Sequence, residues 1–280
     1  MFCRLSSALC VLEFLYEEFY GLREKPFNKT PDPRFLYQSK KHAEALARLQ
    51  LAVEEQDIIL LTGDIGCGKT TLSRALIDSF DERFHPLLII NPRLSPTLLL
   101  RTVGLRLGIE DPSKQKHELL EQINGKLYEL YEGGKRPALI IDEAQLIPGK
   151  DAFEELRLLT NYQLDDRNLL ALVLIGQTEL RDRLAKKPYR ALRQRIGLQY
   201  HLGPLDEEDH REYVLHRLHV AGRDRPLFED GAFSALYHYS GGIPRRINVI
   251  AGNALLEGFG RGADSISAEI VESAAEEDQR

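Results

Sequence analysis

The sequence predicts an α/β chain, a doubly wound parallel sheet followed by a small all-helical region. Three observations predict it. Short apolar runs recur at 58–61, 87–90, 138–141 and 169–175, the pattern of strands buried on both faces of a parallel sheet. Stretches of helical periodicity separate them, as parallel crossovers require. Beyond Gly203-Pro204 the alternation stops and only helical patterns remain.

In order, Ser39 is placed to cap a helix carrying Ala43, Leu46, Ala47, Leu49 and Val53 at helical spacing. The first strand follows Gln56-Asp57. A helix from Leu72 to about Phe80 precedes the second strand, which Pro86 introduces and Asn91 ends. Helices are expected over 97–107 and 114–131, the latter closed by Gly133-Gly134. The third strand ends in Asp142-Glu143. An amphipathic helix over 151–164 carries Phe153, Leu156 and Leu159, and the fourth strand ends in Gly176-Gln177-Thr178. A short arginine-bearing helical stretch leads to a fifth strand over 196–202. Four helices then follow, one capped by Asp206, one over 229–239, one opened by Pro244 and one capped by Ser267. The domain reading is a lead-in over 1–18, an α/β domain over 19–204 and a helical subdomain over 205–280.

Composition narrows the classes. With 280 residues, 43% hydrophobic and 29% charged, the chain has ordinary globular usage, which argues against a disordered protein. A formal net charge of −6 argues against a generally basic nucleic-acid binder and leaves room for a local basic patch. Cys3, Cys10 and Cys67 have neither metal-ligand spacing nor a disulfide pattern, which points to a reducing, cytoplasmic compartment. Residues 2–20 are apolar enough to suggest a leader, but Glu13, Glu17 and Glu18 interrupt them before a bilayer is spanned. An amphipathic or poorly ordered segment is expected there, with an interfacial helix as the sharper alternative.

The chemistry is concentrated after the first strand, in Gly63-Asp64-Ile65-Gly66-Cys67-Gly68-Lys69-Thr70-Thr71. This is the P-loop spacing, between an apolar run and a helical pattern. Gly63, Gly66 and Gly68 let the backbone curl so that successive N–H groups face an anion, and the helix that follows directs its positive end at it. Lys69 is placed to reach β- and γ-phosphates and the Thr70 hydroxyl to ligate Mg²⁺. The expected ligands are ATP and Mg²⁺.

Asp142 and Glu143 at the end of an apolar strand make the matching acid pair, Asp142 for the metal and Glu143 as general base toward water. Gln177, at the tip of the fourth strand, suits a sensor of the γ-phosphate or the attacking water, with a turn amide bonding local backbone as the alternative. Asn91 could bond Glu143 and gate its orientation. Among Arg190, Arg193 and Arg195, Arg195 is the first choice and Arg193 the second for an arginine that reaches a neighbouring protomer's nucleotide. Arg245 and Arg246 follow Pro244 at a helix start, where cations are mildly disfavoured unless an anion is near. The proline-punctuated aromatic segment Tyr20-Gly21-Leu22-Arg23-Glu24-Lys25-Pro26-Phe27 and Thr30-Pro31-Asp32-Pro33-Arg34-Phe35-Leu36-Tyr37 reads as a strap packed across a domain, or as a lid over the base. His42 reads as structural.

These stretches resemble the AAA+ ATPases, and more narrowly the general secretion pathway protein A (ExeA-like) type. The likeness runs from about residue 19 to the C-terminus. It rests on the strap and the loop, and on Asp142-Glu143-Ala144-Gln145, Leu174-Ile175-Gly176-Gln177-Thr178-Glu179-Leu180, Leu192-Arg193-Gln194-Arg195-Ile196 and Gly241-Gly242-Ile243-Pro244-Arg245-Arg246-Ile247-Asn248. The resemblance implies a P-loop NTPase sheet of order 5-1-4-3-2 with a helical lid, and assembly into homo-oligomers. It also implies Gln177 as sensor 1, Arg195 as arginine finger and Arg245 as sensor 2. The related transposition helper ATPases of the TniB and MuB kind share that core.

Two functions compete. One is an oligomeric ATPase that drives assembly or remodelling of a partner complex, such as a secretion or envelope assembly, from the cytoplasm or the inner-membrane surface. The other is an ATP-dependent switch that binds double-stranded DNA and recruits a transposase.

Overall fold

The structure, a computed structural model, describes residues 15–28, 33–35, 37–164 and 167–278. Cys3, Cys10, most of the expected lead-in, and Thr30, Pro31, Asp32 and Leu36 of the strap lie outside the described residues. The chain divides into two compact units: residues 41–65 and 69–203 form one, and residues up to 40, 66–68 and 204–280 the other.

The first unit is built on five parallel strands, β1 (Ile58–Gly63), β2 (Phe84–Ile89), β3 (Arg136–Ile141), β4 (Ala171–Gly176) and β5 (Ile196–Leu202). They lie in the order β2-β3-β4-β1-β5, which read from the other edge is the expected 5-1-4-3-2. β1, the organising strand, is buried along its whole length. It pairs with β4 from Ile58 opposite Leu172 to Thr62 opposite Gly176, and with β5 on its other side. Register therefore brings the ends of β1, β3 and β4 together, where loop residues collect in open α/β sheets.

β2 departs from the expectation. It begins at Phe84 and contains Pro86, rather than starting after that proline, and it is only half-buried. It is an edge strand paired with β3 alone, and an edge tolerates the missing N–H of proline. The helix expected over 151–164 stops at Leu159, and Gln163–Leu164 instead pairs antiparallel with Arg167–Asn168 in a two-stranded ribbon. The core packs Ile58, Leu60, Leu139, Leu172 and Leu174 of the sheet against Leu99, Val103, Leu119, Ile123, Phe153 and Leu156 of the covering helices.

The second unit is helical, with long helices at Glu207–Val220, Asp230–Ser240, Pro244–Arg261 and Ala268–Asp278. The side chain of Asp206 accepts the Asp209 amide at 2.9 Å and caps the first. Gly241 and Gly262 close the second and third in the left-handed conformation. The strap groups with these helices and not with the sheet. Tyr20, Leu22, Phe27 and Phe35 are buried in the helical core.

Buried polar bonds tie the strap down. Arg217 donates through Nε to the Pro26 carbonyl at 2.5 Å and through Nη1 to the Tyr213 hydroxyl at 2.8 Å, with its guanidinium 4.8 Å from the Phe35 ring centre. The Tyr20 hydroxyl donates to the Ala263 carbonyl, and burial pushes that phenol up to about 12. Tyr37 donates to Asp209 at 3.1 Å and is likewise raised to about 12, by burial and then by that carboxylate. Among the described residues no helix is long and apolar enough to cross a membrane.

Candidate functional site

β1 ends at Gly63 and the next helix, Lys69–Asp78, begins at Lys69, so the loop between them spans five residues. Gly66 and Gly68 hold φ of +87° and +94°, which side chains with a Cβ rarely adopt. Gly63 is needed for a different reason: a Cβ there would stand 2.3 Å from the Leu202 carbonyl oxygen of β5.

Lys69 is buried, with only 6% of its surface exposed. Its ammonium folds back on the loop and donates to the carbonyls of Gly63 and Asp64, both at 2.8 Å. Asp64 is exposed and accepts the Thr178 hydroxyl at 3.3 Å. Ile65 is exposed, Cys67 fully buried and Thr71 half-buried. The amide of Arg245, in the first turn of Pro244–Arg261, donates to the Gly66 carbonyl at 3.3 Å.

The loop helix and β3 meet through one hydrogen bond. Thr70 Oγ1 donates to Asp142 Oδ2 at 2.9 Å, while Asp142 Oδ1 accepts the Glu143 amide at 2.9 Å. Asp142 is 2% exposed. Burial pushes its carboxyl above the usual range, against the opposing pull of the Thr70 bond. A hydroxyl and a carboxylate side by side are hard oxygen donors of the kind Mg²⁺ takes in ones and twos, the remaining positions going to water and phosphate. A cation there would also offset the desolvation of Asp142. The residues present fit that metal. Among the described residues no larger His/Cys/Asp/Glu metal cluster occurs.

Glu143 follows in the left-handed region, φ 54° and ψ 37°, where the chain turns from β3 into the short 3-10 turn Ala144–Leu146. A non-glycine residue held there costs on the order of 1 kcal/mol or more and persists when its surroundings hold it. Two amides do so. Gln145 Nε2 donates to Glu143 Oε2 at 2.5 Å and Gln177 Nε2 donates to the same oxygen at 3.3 Å. The Gln177 backbone amide in turn donates to Gln145 Oε1 at 3.2 Å. Gly176 makes room for this: a Cβ there would lie 2.8 Å from Gln145 Oε1.

Asn91 takes no part in this arrangement. β2 ends at Ile89, and Asn91 sits exposed in the turn beyond it at φ 60°. The expected Asn91–Glu143 bond is replaced by that of Gln145. Arg195 donates to the Thr160 carbonyl at 2.9 Å and Arg193 to the Ala185 carbonyl at 2.7 Å, both within this chain. His42 is buried on its helix.

Two residues assigned no role from the sequence belong to this arrangement. Gln145 follows the acid pair by two positions, and only the turn brings its amide back to the carboxylate. Arg183, on Thr178–Leu184, donates to the carbonyls of Gln145, Ile147 and Gly149 at 3.3, 2.6 and 2.8 Å and to the Tyr189 hydroxyl at 2.9 Å. Nothing in local spacing announces either contact.

A five-stranded sheet of this order, with a P-loop after β1 and an acid pair after β3, defines a P-loop protein of the AAA+ class, and residues 52–184 match the family model described as the AAA domain. The chain is similar in sequence to a secretion-pathway protein. It is 41% identical over 255 residues to General secretion pathway protein A of Aeromonas hydrophila, an alignment covering 90% of this chain and 46% of that protein. The chain thus spans just under half the length of that relative.

Solved structures support the fold. The Aeropyrum pernix ORC2 protein in ADPNP–ADP complexes superposes with a TM-score of 0.68 at 19% identity, over 91% of this chain and 71% of that one. The Thermotoga maritima RuvB Holliday junction branch migration motor gives 0.52 at 22% identity, over 85% of this chain and 67% of that one.

Proposed function

We propose that this chain is an Mg²⁺-dependent ATPase that works as a homo-oligomer to assemble or remodel a protein complex. The observation that carries the reading is the connection from loop to base: Thr70 bonded to Asp142, and Glu143 held beside it by the side chain of Gln177. The loop amides of residues 64–70 would take the phosphates. The Lys69 ammonium would exchange the carbonyls of Gly63 and Asp64 for β- and γ-phosphate oxygens. Thr70 and Asp142 would hold the metal, which when bound supplies charge neutralisation at those oxygens.

Glu143 accepts a proton from the water that attacks the γ-phosphorus, and ADP leaves with the bridging oxygen. Gln177 orients that water or reports the γ-phosphate. Arg195 serves as the finger toward a neighbouring protomer once released from the Thr160 carbonyl, and Arg245 as the second sensor. The partner would belong to a secretion or envelope assembly, in line with the name of the 41%-identical relative. The net charge of −6 sets the long-range field against a polyanion, so the protein-partner reading leads over the DNA-bound switch.

Steady-state ATPase assays on the purified chain test this. Glu143→Gln is expected to bind ATP as the parent does and to lose turnover, and unchanged turnover in that variant would overturn the assignment of the base. Titration with double-stranded DNA is expected to leave the rate flat. Strong stimulation would move the reading to the transposition-type switch.

A further inference from the structure

Glu143 is held by more than its immediate neighbours. We infer that Gln145 and Arg183 are positioning residues for the catalytic base, tying the carboxylate of Glu143 to the tip of β4 and to the helix that follows it. The inference rests on the assignment of Glu143 as base.

The chemistry of each side chain matches its place. Gln145 must donate to a carboxylate and accept a backbone N–H at once, and its primary amide carries both functions on one carbon. A glutamate in its place would repel Glu143, and a lysine could not accept the Gln177 amide. Both amide donors converge on Oε2 of Glu143, so the carboxylate plane is fixed through one oxygen and the other stays outside the clamp.

Arg183 holds the turn from the other side. Its planar fork spreads over three carbonyls of residues 145–149, and the guanidinium stacks 4.9 and 5.3 Å from the Phe153 and Tyr189 ring centres. An ammonium cannot reproduce that spread. Because Gln177 opens the helix Thr178–Leu184 that carries Arg183, any shift of this helix moves both attachments of the Glu143 turn together. A sensor contact and the base are thus joined in one rigid frame, and misplacement of a reacting group by about 1 Å can cost about a hundredfold in rate.

The test uses the purified full chain and the variants Gln145→Ala, Gln145→Glu and Arg183→Lys, each also in a Glu143→Gln background. The readouts are kcat, KM for ATP, the Kd of a fluorescent ATP analogue with Mg²⁺, and the pH profile of kcat. Gln145→Ala and Arg183→Lys are expected to lower kcat roughly tenfold to a hundredfold, with KM and Kd within about twofold of the parent. Gln145→Glu places a like charge beside Glu143 and is expected to move the acid limb of the profile to higher pH. None of the three is expected to reduce turnover further once Glu143 is glutamine.

A fall in kcat matched by an equal loss of nucleotide affinity would show a structural role and overturn the inference. Parent-like kcat and pH profile in all three variants would overturn it too, while leaving the function standing if Glu143→Gln is still inactive. If Glu143→Gln itself turns over normally, the functional reading fails first.

Discussion

The two units use buried polarity in opposite ways. In the α/β unit the sheet core is aliphatic, and Lys69, Ser73 and Asp142 are buried polar groups gathered where strands give way to the loop helix. In the helical unit Asp209, His210 and Arg217 are buried along one helix, Glu207–Val220, and two of them, Asp209 and Arg217, bond the strap residues Tyr37 and Pro26. Under the proposed function, the first arrangement keeps desolvated charges available for a ligand. The second uses them to hold a segment that, among its described residues, has no strand or long helix of its own. Substitutions in the two regions should therefore fail differently, one in chemistry and the other in folding.

The largest separation is expected from Glu143→Gln, which should cut kcat by at least about a hundredfold while the thermal midpoint stays within a degree or two of the parent, on the order of the shift a surface change brings. Next comes Arg217→Ala. Removing the guanidinium strands the Pro26 carbonyl and leaves the Tyr213 hydroxyl with Asn248 alone, and loss of one member of a buried network costs about 3 kcal/mol. Urea denaturation should show it as a lower midpoint with an unchanged slope, and a stable Arg217→Ala protein would break the contrast between the units.

Acid should act on the helical unit through His210. This residue is 1% exposed, and burial lowers its pKa from 6.5 to about 4. The neutral ring is the form the fold accepts. Its contribution is complete above pH 6.5 and is lost progressively as pH falls from 6.5 to about 4, a loss of roughly 3 kcal/mol by linkage. Denaturation of His210→Leu across that window should show a flatter dependence, and an unchanged slope would mean the acid response lies elsewhere. The smallest effect belongs to the exposed pair in which Arg34 donates to both Glu24 oxygens at 2.8 Å. Arg34→Ala should change stability by about 0.5 kcal/mol or less, and a larger loss would show that this part of the strap matters more than its exposure suggests.

Much of the α/β unit could be read directly. Ile58, Leu60 and Leu139 sit in unbroken apolar runs because a central parallel strand has no solvent face, and that pattern has few other causes. β2 was harder, since an edge strand is half-exposed and Pro86 looks like a boundary until the pairing partner is known. The ribbon at Gln163 and Asn168 has two residues per strand, too few for any periodicity. The strap could be recognised as packed, yet which core Tyr20 and Phe35 enter depends on tertiary structure. At the candidate site the same division holds. Lys69, Thr70, Asp142 and Glu143 stand out because the P-loop and acid-pair patterns set those residue types at fixed spacing from a strand, and the fold brings Thr70 and Asp142 together. Gln145 and Arg183 do not, because their partners are a carboxylate set by a left-handed turn and a row of backbone carbonyls, neither of which leaves a mark in the residue order. Asn91 shows the converse, a plausible amide at a strand end whose turn carries it elsewhere.

Gly63 carries a lesson for anyone who reads this loop through mutational tolerance. A systematic substitution survey would flag the position as indispensable and credit the result to phosphate recognition. Yet the obstacle to any side chain there is the Leu202 carbonyl of the adjoining strand, 2.3 Å from where a Cβ would stand. Its invariance in such a survey would report the closeness of two strands, and would persist in a version of the protein relieved of every requirement to bind nucleotide.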